Sequence, residues 1–270
     1  MTYPTVISST SPKGGVGKST TESALALYLE RQGYKVLMID LDNIGSLTNN
    51  FQGPGIRKAD CSSVLDLFKP TETVGDIKVS AITDKLHLIQ GDSGIAEVNR
   101  SNSITLITLM DDNLRQKVPN IESYDYVLID TPAGTGSTVV AALICADYVY
   151  SPIDLDNNAI EALAELTKLV KPIKQRMNTK LHWSGFVINR VPKLVRVLGK
   201  KVPESLRDRS IYDNLVSTYG DTALLGTIAL RDPIKSAISS GRWIEGAAPS
   251  AVEAVNEIEN FCKNLLETMQ

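Results

Sequence analysis

The 270-residue sequence has only three cysteines, two histidines and 6% aromatic residues. Cys61, Cys145 and Cys262 lie far apart and no C-x-x-C pair occurs, which argues against an iron–sulfur cluster or a structural zinc site. No apolar stretch approaches 18 residues, so no spanning helix is expected. The start, Met1–Pro4, lacks the charged region of a signal peptide. These absences predict a cytoplasmic location.

The net charge of −3 conceals a basic segment. Residues 174–243 hold 13 Lys and Arg against 5 Asp and Glu, whereas the regions on either side are acidic. Such a block indicates either an anionic partner or charges spread over a solvated face. Charge alone leaves both interpretations open.

Apolar strand patterns alternate with helical patterns along the chain. Strands are predicted at 6–10, 36–40, 86–89, 126–130, 148–153, 185–189 and 224–228, and helices at 24–33, 104–118, 137–146, 159–170 and 250–269. This alternation predicts an α/β fold with a mostly parallel, twisted sheet and helices on both faces. No linker or repeat interrupts it, so residues 1–270 are expected to form a single domain. The Gly-, Asn- and Ser-rich segment 43–62 is predicted to be a mobile loop.

A glycine-rich loop joins the first strand to the first helix. It reads Lys13-Gly14-Gly15-Val16-Gly17-Lys18-Ser19-Thr20. Glycines let backbone N–H groups converge on phosphate oxygens, and the helix N-terminus adds a favourable dipole. We expect Lys18 to reach the β- and γ-phosphates of a nucleotide and the Ser19 hydroxyl to ligate Mg²⁺. The alternative is a glycine-rich turn that binds nothing.

The loop resembles the signature of the deviant Walker ATPases, the ParA/MinD family, which is Lys-Gly-Gly-x-Gly-Lys-Ser/Thr. This resemblance implies a P-loop NTPase fold, ATP and Mg²⁺ as cofactors, and a homodimer that encloses ATP between its protomers. It also implies that Lys13 crosses to the nucleotide of the partner, so that Lys13 and Lys18 both act in catalysis. A surface lysine placed by chance is the alternative interpretation of Lys13.

Asp40-Leu41-Asp42 ends the second strand, where a carboxylate of a parallel sheet faces the ligand crevice. The resemblance implies that Asp42 activates the attacking water and that Asp40 supports the Mg²⁺ side. The family pattern continues Pro-Gln-Gly, whereas this chain has Asn43-Ile44 before its glycine. A loop aspartate that caps a helix is the alternative for Asp42.

Two further segments resemble nucleotide-site elements of the family. Residues 126–134 look like a Walker B strand with its switch loop, which would let Asp130 bind Mg²⁺ through water. The asparagine at the end of the strand 185–189 matches one that hydrogen-bonds adenine in the family, which implies that role for Asn189. Arg190 is then a candidate to stack on the base. A turn asparagine is the alternative.

The basic segment favours the DNA-partitioning branch of the family, whose ATP dimer binds double-stranded DNA without sequence preference and whose hydrolysis is stimulated by a ParB-like centromere-binding protein. Phosphate contacts of this kind require only positive charge on one face. The candidate DNA-binding residues are Lys193, Arg196, Lys200, Lys201, Arg207, Arg209, Arg231, Lys235 and Arg242.

The resemblance leaves other functions open. One is a MinD-like ATPase that positions cargo on a membrane or a protein assembly, and another is a metabolic ATP-dependent enzyme such as a dethiobiotin-synthase-like ligase. The helix predicted at 250–269 has an acidic polar face, which anionic lipid would repel. We therefore expect this helix to pack on the sheet, no membrane partner, and association with the nucleoid when ATP is bound.

Overall fold

A computed structural model describes residues 3–101, 103–197 and 199–270. Met1 and Thr2, which entered the signal-peptide argument, lie outside the described residues. The strands are β1 (Thr5–Ser9), β2 (Val36–Asp40), β3 (Ser80–Ala81), β4 (Leu86–Ile89), β5 (Tyr126–Asp130), β6 (Tyr148–Ile153), β7 (His182–Val191), β8 (Leu194–Val197), β9 (Lys200–Pro203) and β10 (Leu224–Ala229).

Eight of these strands form one sheet in the order β10-β7-β6-β1-β5-β2-β4-β3. All neighbours in this sheet are parallel except β3 and β4. Strands β8 and β9 form a separate antiparallel hairpin. The central strand β1 lies between β5 and β6, so the loop that follows it emerges in the middle of the sheet edge.

Helices cover both faces of the sheet. They are α1 (Lys18–Arg31), α2 (Ser46–Gln52), α3 (Ile95–Arg100), α4 (Ile104–Lys117), α5 (Ser137–Cys145), α6 (Ala159–Arg176), α7 (Leu206–Tyr219), α8 (Asp232–Ile238) and α9 (Pro249–Glu267). Consecutive strand residues alternate between two cores, as strand geometry requires. Val6 and Val127 pack with α4 and α5, whereas Ile7 and Leu128 pack with α1 and α9.

The predicted α/β fold with a mostly parallel sheet is confirmed. Strands β2, β5 and β6 have the predicted bounds. These strands are apolar along most of their length because both faces of the sheet are covered, and that pattern is distinctive in a sequence.

Two predictions about local structure are wrong. The segment 43–62 is not only loop, because it contains the seven-residue helix α2, which is too short to show a helical period. Helix α6 does not end before Pro172 but continues to Arg176. Val170 and Ile173, on either side of the proline, are both buried in the core, and this packing holds the helix together across the missing backbone hydrogen bond.

Helix α9 lies on the sheet through its apolar stripe. Ile258, Phe261 and Leu265 are fully buried or nearly so, and Phe261 contacts the ring of Tyr150 on β6 at 5.3 Å between centroids. Gly226 on β10 permits this close packing, since a Cβ there would stand 3.2 Å from the backbone of Phe261. No helix in the described part of the chain is both long and apolar enough to cross a membrane.

Candidate nucleotide site

The loop between β1 and α1 turns sharply before the helix begins. Gly15 and Gly17 have φ values of 77° and 91°, a left-handed conformation that side chains disfavour. A Cβ on Gly17 would also stand 2.1 Å from Nδ2 of Asn189. No side chain caps the first turn of α1 among the described residues, so its backbone N–H groups are available to phosphate oxygens.

The first two residues of α1 contact the carboxyl end of the sheet. Ser19 Oγ donates a hydrogen bond to Asp130 Oδ2 at 2.5 Å, and Lys18 Nζ donates to the Lys13 carbonyl at 3.2 Å. Burial lowers the pKa of Lys18, while the charges of Asp130 and Asp42 oppose this shift. Lys18 is thus a cation largely shielded from water, where its attraction for phosphate is strong.

Asp40 and Asp130 end neighbouring strands and lie opposite each other in the register of β2 and β5. Both are fully buried. Burial raises the pKa of Asp130 well above its usual range, and the charge of Asp40 raises it further. Oδ1 of Asp130 has no hydrogen-bond partner among the described residues. A buried carboxylate oxygen without a donor suits a cation or its bound water.

The Asp40 carboxylate holds the loop that follows β2. Its Oδ2 accepts hydrogen bonds from the backbone N–H and the hydroxyl of Thr48, both at 2.7 Å, and its Oδ1 accepts one from the Asp42 N–H at 3.2 Å. Burial raises the pKa of Asp40 to about 6, although these hydrogen bonds oppose the shift. The structure therefore places Asp40 beside Asp130, but the hydrogen bonds that its carboxylate accepts come from the following loop and from Thr48 in the first turn of α2.

Asp42 lies in a cleft with the glycine-rich loop. The cleft has a volume of about 410 Å³ and is lined by Gly15, Gly17, Lys18, Ser19, Thr20, Asp42, Ile44, Ser46 and Asn50. Oδ1 of Asp42 accepts a hydrogen bond from the Ile44 N–H at 3.0 Å, which fixes the side chain at the cleft. The predicted water-activating group and the predicted phosphate-binding groups thus share one cavity.

Lys13 does not line this cleft. Its ammonium group forms an ion pair with Asp156, in the loop after β6, and both side chains are about one-third exposed. Asp156 and its neighbour Asp154 were not predicted from the sequence. A repeated tetrapeptide could have indicated them, because Asp-Leu-Asp-Asn occurs both at 40–43 and at 154–157.

Asn189 and Arg190, at the end of β7, contact the glycine-rich loop. Asn189 Nδ2 donates to the Val16 carbonyl at 2.9 Å, and the Arg190 guanidinium donates to the Gly15 carbonyl. Both side chains also border a second cavity of about 420 Å³, which Thr20 and the apolar residues of α8 line as well. Thr20 belongs to both cavities, so they adjoin at the start of α1.

The predicted DNA-binding residues do not form one uninterrupted cationic face. Four of them are in ion pairs, which are Lys193–Glu204, Lys200–Asp221, Lys201–Glu257 and Arg231 with Glu253 and Glu257. Burial raises the pKa of Glu257, but hydrogen bonds from Arg231 and Lys201 hold it below its usual value. Arg209 donates to the Pro203 carbonyl. The ion pairs of the described residues include none of Arg196, Arg207, Lys235 and Arg242.

The AAA_31 family model, an AAA domain, matches residues 4–183. The sporulation initiation inhibitor protein Soj of Bacillus subtilis is 31% identical over 68% of this chain and 71% of its own length. The chromosome partitioning protein ParA of Caulobacter vibrioides is 28% identical over 82% of this chain and 86% of its own length.

A solved structure shares the fold of this chain. A plasmid partition protein of Borrelia burgdorferi, bound to AMPPNP, superposes with a TM-score of 0.76 over 98% of this chain and 99% of its own, at 24% identity. This chain also matches two uncharacterised Mycobacterium tuberculosis proteins at 28% identity, and it spans 64% of their length. The family model over residues 4–183 and the 31% identity to Soj, together with the signature at 13–20, show that the chain belongs to the ParA/MinD family of deviant Walker ATPases.

Proposed function

We propose that this protein is a Mg²⁺-dependent ATPase of the ParA type, which dimerises around ATP, binds DNA without sequence preference and releases it after hydrolysis. The observation that carries the proposal is the cleft shared by Lys18, Ser19 and Asp42, beside a signature loop that begins with Lys13. The names of the relatives from Caulobacter and Borrelia, which refer to partitioning, support the DNA-segregation role.

ATP would occupy the two adjoining cavities. Its phosphates would bind the backbone N–H groups at 14–20 and the Lys18 ammonium, because that cation lies on the phosphate side of the loop. Its adenine would enter the second cavity, where Asn189 offers an amide and Arg190 a planar guanidinium. Both residues would exchange their hydrogen bonds to the loop carbonyls for contacts with the base.

The residues present fit magnesium. Among the described residues no group of three or more His, Cys, Asp or Glu could hold a metal alone, so the ion would share its ligands with ATP. The Ser19 hydroxyl and the unpartnered Oδ1 of Asp130 would bind it directly or through water. Magnesium would neutralise phosphate charge there, while Asp40 supports this side of the site through the loop it anchors.

Asp42 would orient the attacking water and accept its proton, since it lines the same cleft as the glycine-rich loop. Lys13 would leave Asp156 and bind the phosphates of the partner's nucleotide. That exchange replaces one carboxylate by a more highly charged phosphate group, so ATP in the partner favours it. A ParB-like protein would then stimulate hydrolysis.

The test is binding of random duplex DNA by the full chain, with and without ATP, at two salt concentrations. We expect ATP-dependent binding that weakens steeply with salt, because each phosphate contact contributes about −0.9 to the slope of log K against log salt. Size-exclusion chromatography should show an ATP dimer for the wild type and a monomer for Lys13→Ala, which should also lose DNA binding. A Lys13→Ala protein that dimerises and binds DNA normally would contradict the proposal. Binding to anionic vesicles instead of DNA would favour the MinD-like alternative.

A further inference from the structure

The loop between β2 and α2 carries Asp42 but lacks the Pro-Gln pair of the family pattern. Ile44 is 68% exposed and contributes little packing. Gly45, the next residue, has φ 68° and precedes α2. Within the loop, the Ile44 and Gly45 N–H groups donate to Asp42. The flanking elements add the bond from the Asp42 N–H to Asp40 Oδ1 at 3.2 Å and one from Asn49 Nδ2 to the Ile44 carbonyl at 3.4 Å. The loop therefore depends on contacts from outside for its shape.

Arg57, in the segment that follows α2, approaches the loop at Gly45 and is held there by hydrogen bonds to residues outside the loop. Its Nε donates to the Gly91 carbonyl at 2.8 Å, and its Nη1 donates to the Ile56 carbonyl at 2.8 Å and to Asn49 Oδ1 at 3.2 Å. Its Nη2 lies against Gly45, where a Cβ would stand only 2.1 Å away. The ion pairs of the described residues include none with Arg57.

The same segment is connected to the Asp40 carboxylate. The Gly91 N–H donates to Thr48 Oγ1 at 2.8 Å, and Thr48 Oγ1 donates to Asp40 Oδ2 at 2.7 Å. A Cβ on Gly91 would stand 3.0 Å from that carboxylate and 3.3 Å from the Cα of Gly45. Gly91 is thus bound to Arg57 through its carbonyl and to the Asp40 loop through its N–H. The Arg57 guanidinium completes this network by contacting the backbone of Gly45.

We infer that Arg57 is a positioning residue for hydrolysis, which clamps the loop 41–45 through Gly45 so that Asp42 stays at the cleft, and that this contact compensates for the lack of the proline of the family pattern, whose ring would fix φ at position 43. This inference rests on the proposed function. Arg57 does not line the cleft, so it acts through the loop and not on the nucleotide. A rigid guanidinium suits the task because it donates to several carbonyl and amide oxygens at fixed angles.

The experiment compares Arg57→Ala, Arg57→Lys and Lys58→Ala in steady-state ATP hydrolysis with duplex DNA present. Lys58 is the matched control, since its ammonium group donates to the Ala81 carbonyl, away from the loop. We expect kcat to fall about tenfold in Arg57→Ala, the loss typical of a charged hydrogen bond, with KM for ATP unchanged. Arg57→Lys should stay low because an ammonium group cannot span Gly91 and Asn49 together. Lys58→Ala should match the wild type.

A rescue separates positioning from general stability. Asn43→Pro with Ile44→Gln restores the family pair, and proline removes no hydrogen bond there because none of the described residues accepts one from the Asn43 N–H. In that background Arg57→Ala should lower kcat less than threefold, with unchanged melting temperature. An undiminished loss there, a wild-type kcat in the single variant, or a raised KM with normal kcat would each overturn the inference. Absence of hydrolysis in the wild type would instead refute the proposed function.

Discussion

The tetrapeptide Asp-Leu-Asp-Asn follows two strands of the same sheet and has a different role in each place. At 40–43 its first aspartate is the last residue of β2 and is fully buried. At 154–157 its first aspartate comes after the last residue of β6 and is only half-buried. A shift of one residue relative to the strand end thus changes what each carboxylate can reach.

The carboxylates of the two copies also have different partners. Asp40 receives one hydrogen bond from the Asp42 N–H and two from Thr48 of α2, and Asp42 lines the cleft that Lys18 also lines. Asp154 keeps one oxygen without a partner among the described residues, and Asp156 pairs with Lys13. The first copy therefore belongs to the chemistry of the site, whereas the second copy holds the lysine that we propose to act on a second protomer. Identical local sequences acquire distinct roles from the strands that carry them.

The largest expected effect is the loss of hydrolysis on changing the first copy. Asp42→Ala should retain ATP binding but lower kcat by at least about 10²-fold, because it removes the group that orients the water and accepts its proton. Asn157→Ala, in the exposed part of the second copy, is the control and should hydrolyse ATP normally. Single-turnover hydrolysis and equilibrium nucleotide binding measure the two quantities. A fully active Asp42→Ala would place the base elsewhere.

The next effect is a pH dependence of stability from Asp40. Burial raises its pKa to about 6, so the folded state binds this proton more readily than the unfolded chain. The stabilisation of the folded state by this proton is fully present below about pH 4 and is lost as the pH rises through 6. The free energy of unfolding changes by about 3 kcal/mol over that range. Urea unfolding from pH 4 to 7.5 should show this dependence in the wild type and a clearly weaker one in Asp40→Asn, where the raised pKa values of Asp130 and Asp154 still contribute in the same direction.

The variant Asp154→Asn tests whether the second copy contributes less to the pH dependence of stability than the first. Burial raises the pKa of Asp154 as well, although the charges of Arg190 and Lys13 oppose the shift. Its replacement should remove a smaller part of the pH dependence, in the same direction. Equal losses in both variants would show that burial at the strand end does not distinguish the two copies.

The smallest effect concerns the ion pair of the second copy. Asp156→Asn should free Lys13 and raise the association constant of the ATP dimer by a factor of about 1.4 to 5 for each ion pair removed, since a partly exposed ion pair contributes about 0.2–1 kcal/mol. Analytical ultracentrifugation with ATP measures the population, and Lys13→Ala is the opposite control. A dimer constant equal to that of the wild type would mean that the pair does not restrain Lys13.

Much of the fold could be predicted from the sequence because its strongest signals are local. Parallel strands buried on both faces are apolar throughout, and β2, β5 and β6 were predicted with their observed bounds. The glycine-rich loop was recognised because left-handed turns require glycine, which Gly15 and Gly17 confirm. Helix α2 and the hairpin of β8 and β9 are not predicted because elements of seven and four residues are too short to show a periodic pattern.

The sequence by itself determined the family, the fold class and the loop of 13–20, since backbone conformation and strand burial dictate those residue types at fixed spacings. Only the tertiary structure decided which charges meet. Lys13 pairs with Asp156 across 143 positions of the chain, Lys201 and Arg231 share Glu257, and Arg57 reaches Gly91 beside the Asp40 loop. Such pairings follow from the order of strands in the sheet, and strand order depends on packing over the whole chain, which no local pattern encodes.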